Sequence, residues 1–126
     1  MLLTGPPGSG KSDLLLRLLA RGFSLVADDR VDIQDGIARA PGALGGLLEV
    51  RGLGIMRLPY VESVPLVLVV ELGENPPRLP VAARHPDLDL PLLWMDAGQA
   101  SAPDCLAMAL DCVLGRVSQV AGAFSA

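Results

Sequence analysis

The chain has 126 residues, a formal net charge of −4 and 3% aromatic residues, with no cluster of Lys and Arg. That balance excludes a nucleic-acid groove, which needs a basic track and rings for base stacking. Hydrophobic residues make up 51% and charged residues 19%, so residues 1–126 read as one domain that buries a real core without disulfides and leaves apolar surface for other subunits to cover.

In chain order, Met1 to Thr4 is a short strand feeding a glycine-rich loop. From Gly10 to Arg21 the leucines at 14, 15, 18 and 19 form one apolar helical stripe, with Asp13 in the first turn, Arg17 and Arg21 near the end and Gly22 just beyond. Phe23 to Ala27 reads as a buried strand, Val31 to Gln34 as another, and Asp35-Gly36 as a tight turn into Ile37 to Ala40. Pro41 to Gly46 is a loop and Leu47 to Leu58 contains a glycine-rich turn. Val64 to Leu72 reads as a central strand by its Val/Leu run. Gly73 to Leu90, with Pro76-Pro77, lacks a clear period and is expected to be a mobile or partner-contacting loop. Leu92 to Met95 is a final strand. Ser101 with Asp104 three residues on predicts a capping box opening a helix from about Pro103 to Leu114, with Leu106, Ala109, Leu110, Val113 and Val117 facing inward. The tail from Ser118 is expected to be loosely ordered.

The longest apolar run, Leu66 to Val70, is far short of a membrane span, and no basic leader is present, which predicts a cytoplasmic protein with no membrane partner. Cys105 and Cys112 fall on the predicted helix about 10 Å apart along its axis, too far to bridge, and are expected to be small buried residues. With one histidine, His85, and no metal-type cysteine spacing, no zinc is expected.

Three segments carry chemistry. The first, Gly5-Pro6-Pro7-Gly8-Ser9-Gly10-Lys11-Ser12, is a P-loop pattern set between apolar Leu2-Leu3 and a helix. In such a loop backbone N–H groups and a helix N-terminus surround phosphate oxygens, Lys11 meets the β- and γ-phosphates and Ser12 meets Mg²⁺. The plain alternative is a Gly/Pro turn that happens to precede a helix. The second segment is Leu25-Val26-Ala27-Asp28-Asp29-Arg30. A helix of about twelve residues carries the chain some 18 Å away and a strand of six returns it about 20 Å, which places Asp28 and Asp29 beside the phosphates. Two adjacent carboxylates there suit one acting as a base while the other faces a metal or cation. Alternatively they form a solvated turn in which Asp29 pairs with Arg30. The third segment, Glu49-Val50-Arg51-Gly52-Leu53-Gly54-Ile55, would project Glu49 and Arg51 to one face of a strand, one for metal and the other for phosphate, with Gly52 and Gly54 allowing a close backbone approach. A surface ion pair next to a bulge would leave the same pattern.

Taken together, Gly5 to Ser12, Leu25 to Asp29 and Glu49 to Ile55 resemble the catalytic domain of HPr kinase/phosphorylase, including its short bacterial form. Ala100-Ser101-Ala102-Pro103 looks like the start of that family's C-terminal helix. The resemblance implies an α/β fold made of a single P-loop domain with a mixed sheet, similar to phosphoenolpyruvate carboxykinase. It also implies an enzyme that moves the terminal phosphoryl group of ATP to a serine of the phosphocarrier protein HPr or a related protein, assembled as a homo-oligomer. Carried over, Gly5, Gly8, Ser9, Gly10, Lys11 and Ser12 would bind the nucleotide. Asp28 would be the base, and the acid in reverse phosphorolysis, with Asp29 supporting it. Ser12 and Glu49 would hold Mg²⁺, and Arg51 and Lys11 would neutralise transferring charge.

Two departures stand against the family pattern. Its members carry a histidine in a strand upstream of the glycine loop, and here no residue matches it, so the N-terminal strand is expected to be truncated and transfer to be weaker than binding. The loop that meets HPr is basic in longer members but reads His85-Pro86-Asp87-Leu88-Asp89-Leu90-Pro91 here. Two other readings remain at this point, a P-loop kinase of a small metabolite and a nucleotide-binding regulatory module without turnover. ATP consumption with and without HPr separates the three.

Overall fold

The structure is a computed structural model in which residues 1–125 are described. Its contacts divide the chain into two compact units, residues 1–11 with 66–126 and residues 12–65.

In the first unit, β1 (Leu2–Thr4), β7 (Val69–Leu72) and β8 (Leu92–Met95) form a three-stranded parallel sheet with β7 in the middle. Leu3 lies opposite Val70, which in turn lies opposite Leu93. A parallel strand covered on both faces should be apolar throughout, and Val69, Val70 and Leu72 are all buried while only Glu71 reaches solvent. Trp94 on β8 is 47% exposed, and its indole lies so close to Gly73 that a Cβ there would stand 2.9 Å from the ring. The helix α2 (Ala102–Val113) buries Ala102, Pro103, Leu106 and Ala109, while the expected inward Val117 is exposed. It ends on Gly115 at φ +76°, where Gly115 N donates to Cys112 O and Arg116 N to Asp111 O, the paired termination that left-handed glycine permits. Each fully buried Leu or Val here contributes about 1.5–3 kcal/mol. Cys105 is exposed and Cys112 half-buried, both as free thiols, so the expectation that they are buried fails while the expected absence of a bridge between them agrees.

The segment from Gly73 to Leu90 has no helix or strand, as its composition predicts, but it is internally fastened. Arg84 bridges Pro91, its Nε donates to Asp89 at 2.8 Å, and His85 Nδ1 accepts the N–H groups of Asp87 and Leu88. The tail is likewise turned on itself, with Phe124 N donating to the Gln119 side chain at 2.8 Å and Ala123 buried.

The second unit holds most of α1 (Lys11–Leu19), whose Leu14 and Leu18 are buried and whose Asp13 and Arg17 pair one turn apart at 3.1 Å. Gly22, at φ +92°, closes that helix with Phe23 N donating to Leu18 O. An antiparallel sheet follows, β2 (Asp32–Gln34), β3 (Ile37–Arg39) and β6 (Ser63–Pro65), and then a separate hairpin of β4 (Leu47–Val50) and β5 (Gly54–Arg57). Between the two, a single 3-10 turn spans Gly42–Leu44. Gly45 and Gly46 are buried beneath Tyr60. A Cβ on Gly46 would lie 2.4 Å from the Leu58 carbonyl oxygen.

The expected single mixed sheet of the phosphoenolpyruvate carboxykinase kind is therefore not what the strands build. Two local causes account for this among the described residues. Phe23 to Ala27 never enters a ladder; beside the helix-closing bond of Phe23 N, its Leu25 O accepts Val61 N at 2.7 Å. The expected strand from Val64 to Leu72 breaks after Pro65, whose ring nitrogen has no hydrogen to continue the pairing, so its two ends serve different sheets. The capping box also fails, because Ser101 at ψ 0° does not direct its hydroxyl to the helix N–H groups. Among the described residues no helix is long and apolar enough to cross a membrane.

Candidate functional site

Beyond Thr4 the chain turns through Gly5 to Gly10 and enters α1. Gly8 and Gly10 have φ of +83° and +92°, a region that side chains with a Cβ rarely occupy. Close packing restricts the same loop. A Cβ on Gly5 would stand 2.7 Å from Ser9 Oγ and 3.3 Å from the Leu72 carbonyl oxygen, and one on Gly10 would stand 3.3 Å from the Ala97 methyl. Ser9 N donates to Pro6 O at 3.1 Å, while Ser9 Oγ is buried without a partner. Lys11 folds back over the loop, its Nζ donating to Gly5 O at 2.6 Å and Pro6 O at 3.0 Å. The ammonium is thus held by two carbonyls at the loop itself and keeps a third donor.

In the second unit Ser12 Oγ donates to both oxygens of Asp28, at 2.9 and 3.1 Å. Both residues are half-buried, whereas Asp29 is exposed. The alternative pair of Asp29 with Arg30 is not seen among the described residues, where Arg30 reaches Asp32 at 3.4 Å. Glu49 is on β4 opposite Ile55, but β4 ends at Val50 and Arg51 lies in the hairpin turn, so the two do not share a strand face. Leu53 N donates to Val50 O at 2.9 Å, closing that turn with Gly52 at φ +84°. The turn uses glycine for its own geometry.

The structure thus unites Ser12 with Asp28, and Lys11 with the Gly5 to Gly10 backbone. It shows no ion pair between Glu49 and Arg51 among the described residues. Nor does any group of three or more His, Cys, Asp or Glu converge there. Ala97, two residues after β8, is a neighbour of the loop that sequence reasoning missed. Its position emerges only once β8 is known to run parallel to β1.

Residues 1–62 match the family model described as the HPr Serine kinase C-terminal domain. The HPr kinase/phosphorylase of Clostridium novyi (strain NT) is 49% identical over 72 residues, 54% of this chain and 24% of that relative. That of Burkholderia cenocepacia (strain HI2424) is 40% identical over 109 residues, 73% of this chain and 34% of the relative. The chain therefore spans about a quarter to a third of the curated relatives it matches. Among solved structures, the HPr(Ser) kinase/phosphatase from Coxiella burnetii superposes with a TM-score of 0.70 at 23% identity, covering 86% of this chain and 83% of that one. The fold is that of this kinase/phosphatase, which replaces the expected P-loop domain similar to phosphoenolpyruvate carboxykinase. With the family model spanning the glycine loop, the Asp28 segment and the Glu49 hairpin, and with relatives and fold in agreement, residues 1–62 belong to the HPr serine kinase C-terminal domain family.

Proposed function

We propose that this chain is the phosphoryl-transfer part of an ATP-dependent HPr kinase/phosphorylase, acting on a serine of HPr or a related phosphocarrier protein. The observation that carries the reading is the Ser12 hydroxyl bonded to both oxygens of Asp28, one residue beyond a glycine-rich loop that holds its own lysine. Phosphoryl transfer asks for positioning and fixed charge rather than covalent chemistry from the protein. Loop N–H groups of Gly8, Ser9 and Gly10 hold phosphate oxygens, and Lys11 gives the β- and γ-phosphates a point charge. Asp28 accepts the proton of the attacking serine hydroxyl and returns it in the reverse direction. Asp29 supports Asp28 in that role, and Arg51 offsets charge on the transferring group.

Mg²⁺ takes oxygen donors, retains several waters and is usually bound through one or two protein groups together with substrate phosphates. We assign Mg²⁺ to Ser12 and Glu49, a hydroxyl and a carboxylate of the oxygen-donor type it takes. When bound, the ion would offset the charge of the phosphates. ATP, Mg²⁺ and the phosphocarrier are thus the proposed partners, in the cytoplasm and in a homo-oligomer whose interfaces take up exposed side chains such as Ile55 and Leu53. The experiment is ATP consumption and phosphoserine formation with Mg²⁺, with and without purified HPr. HPr-dependent phosphoserine is the expected result, and ATP turnover that ignores HPr would refute the proposed acceptor.

A further inference from the structure

The loop between Gly5 and Gly10 leaves the carboxyl end of β1, and β7 and β8 run parallel to β1, so the turn after β8 emerges at the same end of the sheet. Ligands of open parallel sheets bind outside that end. A side chain helps to close the turn after β8. Asp96 Oδ1 accepts Gly98 N at 2.8 Å, and Asp96 O accepts Gln99 N at 3.2 Å, which bends the chain tightly around Ala97. Ala97 is 4% exposed, and its methyl is the nearest atom to the vacant Cβ position of Gly10, at 3.3 Å. Gly10 is where the loop, at φ +92°, changes direction into Lys11.

We infer that Asp96 is a positioning residue for the phosphate loop. It fixes the 96–98 turn so that Ala97 supports Gly10 and holds the last loop N–H groups in one direction. The inference rests on the phosphate-binding reading of the loop. It assigns work to a carboxylate that none of the three sequence motifs contains. What matters is the oxygen acceptor of Asp96 rather than its charge, because the bond to Gly98 N is what sets the turn. Asparagine keeps such an acceptor; alanine does not.

The test uses the full chain with ATP and Mg²⁺ in calorimetry, and backbone order parameters of Gly8 to Lys11 by NMR without nucleotide. Asp96→Ala is expected to raise the ATP dissociation constant by about five- to tenfold, the size of one hydrogen bond. The same variant should lower the order parameters of Gly8 to Lys11 toward about 0.6. Asp96→Asn should stay within about twofold of wild type in affinity, by the same hydrogen-bond reasoning. Ala97→Gly, which removes only the supporting methyl, should reproduce the alanine effect and serves if Asp96→Ala fails to fold. Wild-type affinity and order in Ala97→Gly would overturn the inference, and so would Asp96→Asn as impaired as Asp96→Ala. If the wild-type chain bound no ATP, the proposed function would fall, while the order parameters would still decide whether Asp96 and Ala97 hold the loop.

Discussion

Replacing Asp28 with asparagine separates the two things this carboxylate does. It accepts the Ser12 hydroxyl at 2.9 and 3.1 Å, and it is the proposed base. A hydrogen bond to a charged group contributes about 1.5–3 kcal/mol, and the low end applies because the pair is only part-buried. Asparagine retains one oxygen acceptor, so Asp28→Asn should lose less than about 1 kcal/mol, while Asp28→Ala should lose about 1.5 kcal/mol, a melting shift of roughly 5 °C at this size. Both variants lose the base, and phosphoserine formation should fall about 10²-fold or more in each. The assay is initial rate with Mg²⁺-ATP and HPr, run beside thermal melts and ATP calorimetry. If Asp28→Asn keeps the wild-type rate, the carboxylate serves only to anchor Ser12 and the base assignment is wrong.

Lys11→Ala should weaken Mg²⁺-ATP binding, because no other ammonium is attached to the loop backbone; equal affinities by calorimetry would refute this. Gly46→Ala should destabilise by about 2 kcal/mol or more in urea unfolding, since its methyl would meet the Leu58 carbonyl oxygen at 2.4 Å and φ is +77°. A midpoint equal to wild type would show that the Leu58 strand end yields freely. Leu68→Ala, at a fully buried position, should cost about 2–5 kcal/mol by the same measurement, and a cost under about 1 kcal/mol would mean the cavity collapses.

Features set by one residue's backbone freedom or by a short apolar run were legible in the sequence. The glycine loop, the Asp35-Gly36 turn, β8 and the two helices lie within a residue or two of their expected bounds. What was not legible depended on partners distant in the chain. Nothing in Phe23 to Ala27 reveals that no strand lies alongside it, and an apolar run looks the same whether or not it finds a ladder. Pro65 was a local signal that should have divided Val64 to Leu72. The site shows the same division. Asp28 was expected near the loop from a strand that returns toward it; it does meet Ser12, though it arrives by an irregular path. Arg51 was placed on a strand face because strand length cannot be read to the residue, and a turn one position earlier redirects it. Ala97 was invisible because only the parallel order of β1, β7 and β8 brings it beside Gly10.

The contact between Trp94 and Gly73 gives the protein an internal optical reporter. Trp94 is the chain's one tryptophan, so all indole emission originates beside the β7 carboxyl end, two residues before Asp96. Its wavelength and quenching by iodide therefore track the parallel sheet of its own unit. Circular dichroism sums both compact units. A melt followed by both signals tells whether the units unfold together or in turn, since coincident curves are the mark of a single cooperative transition.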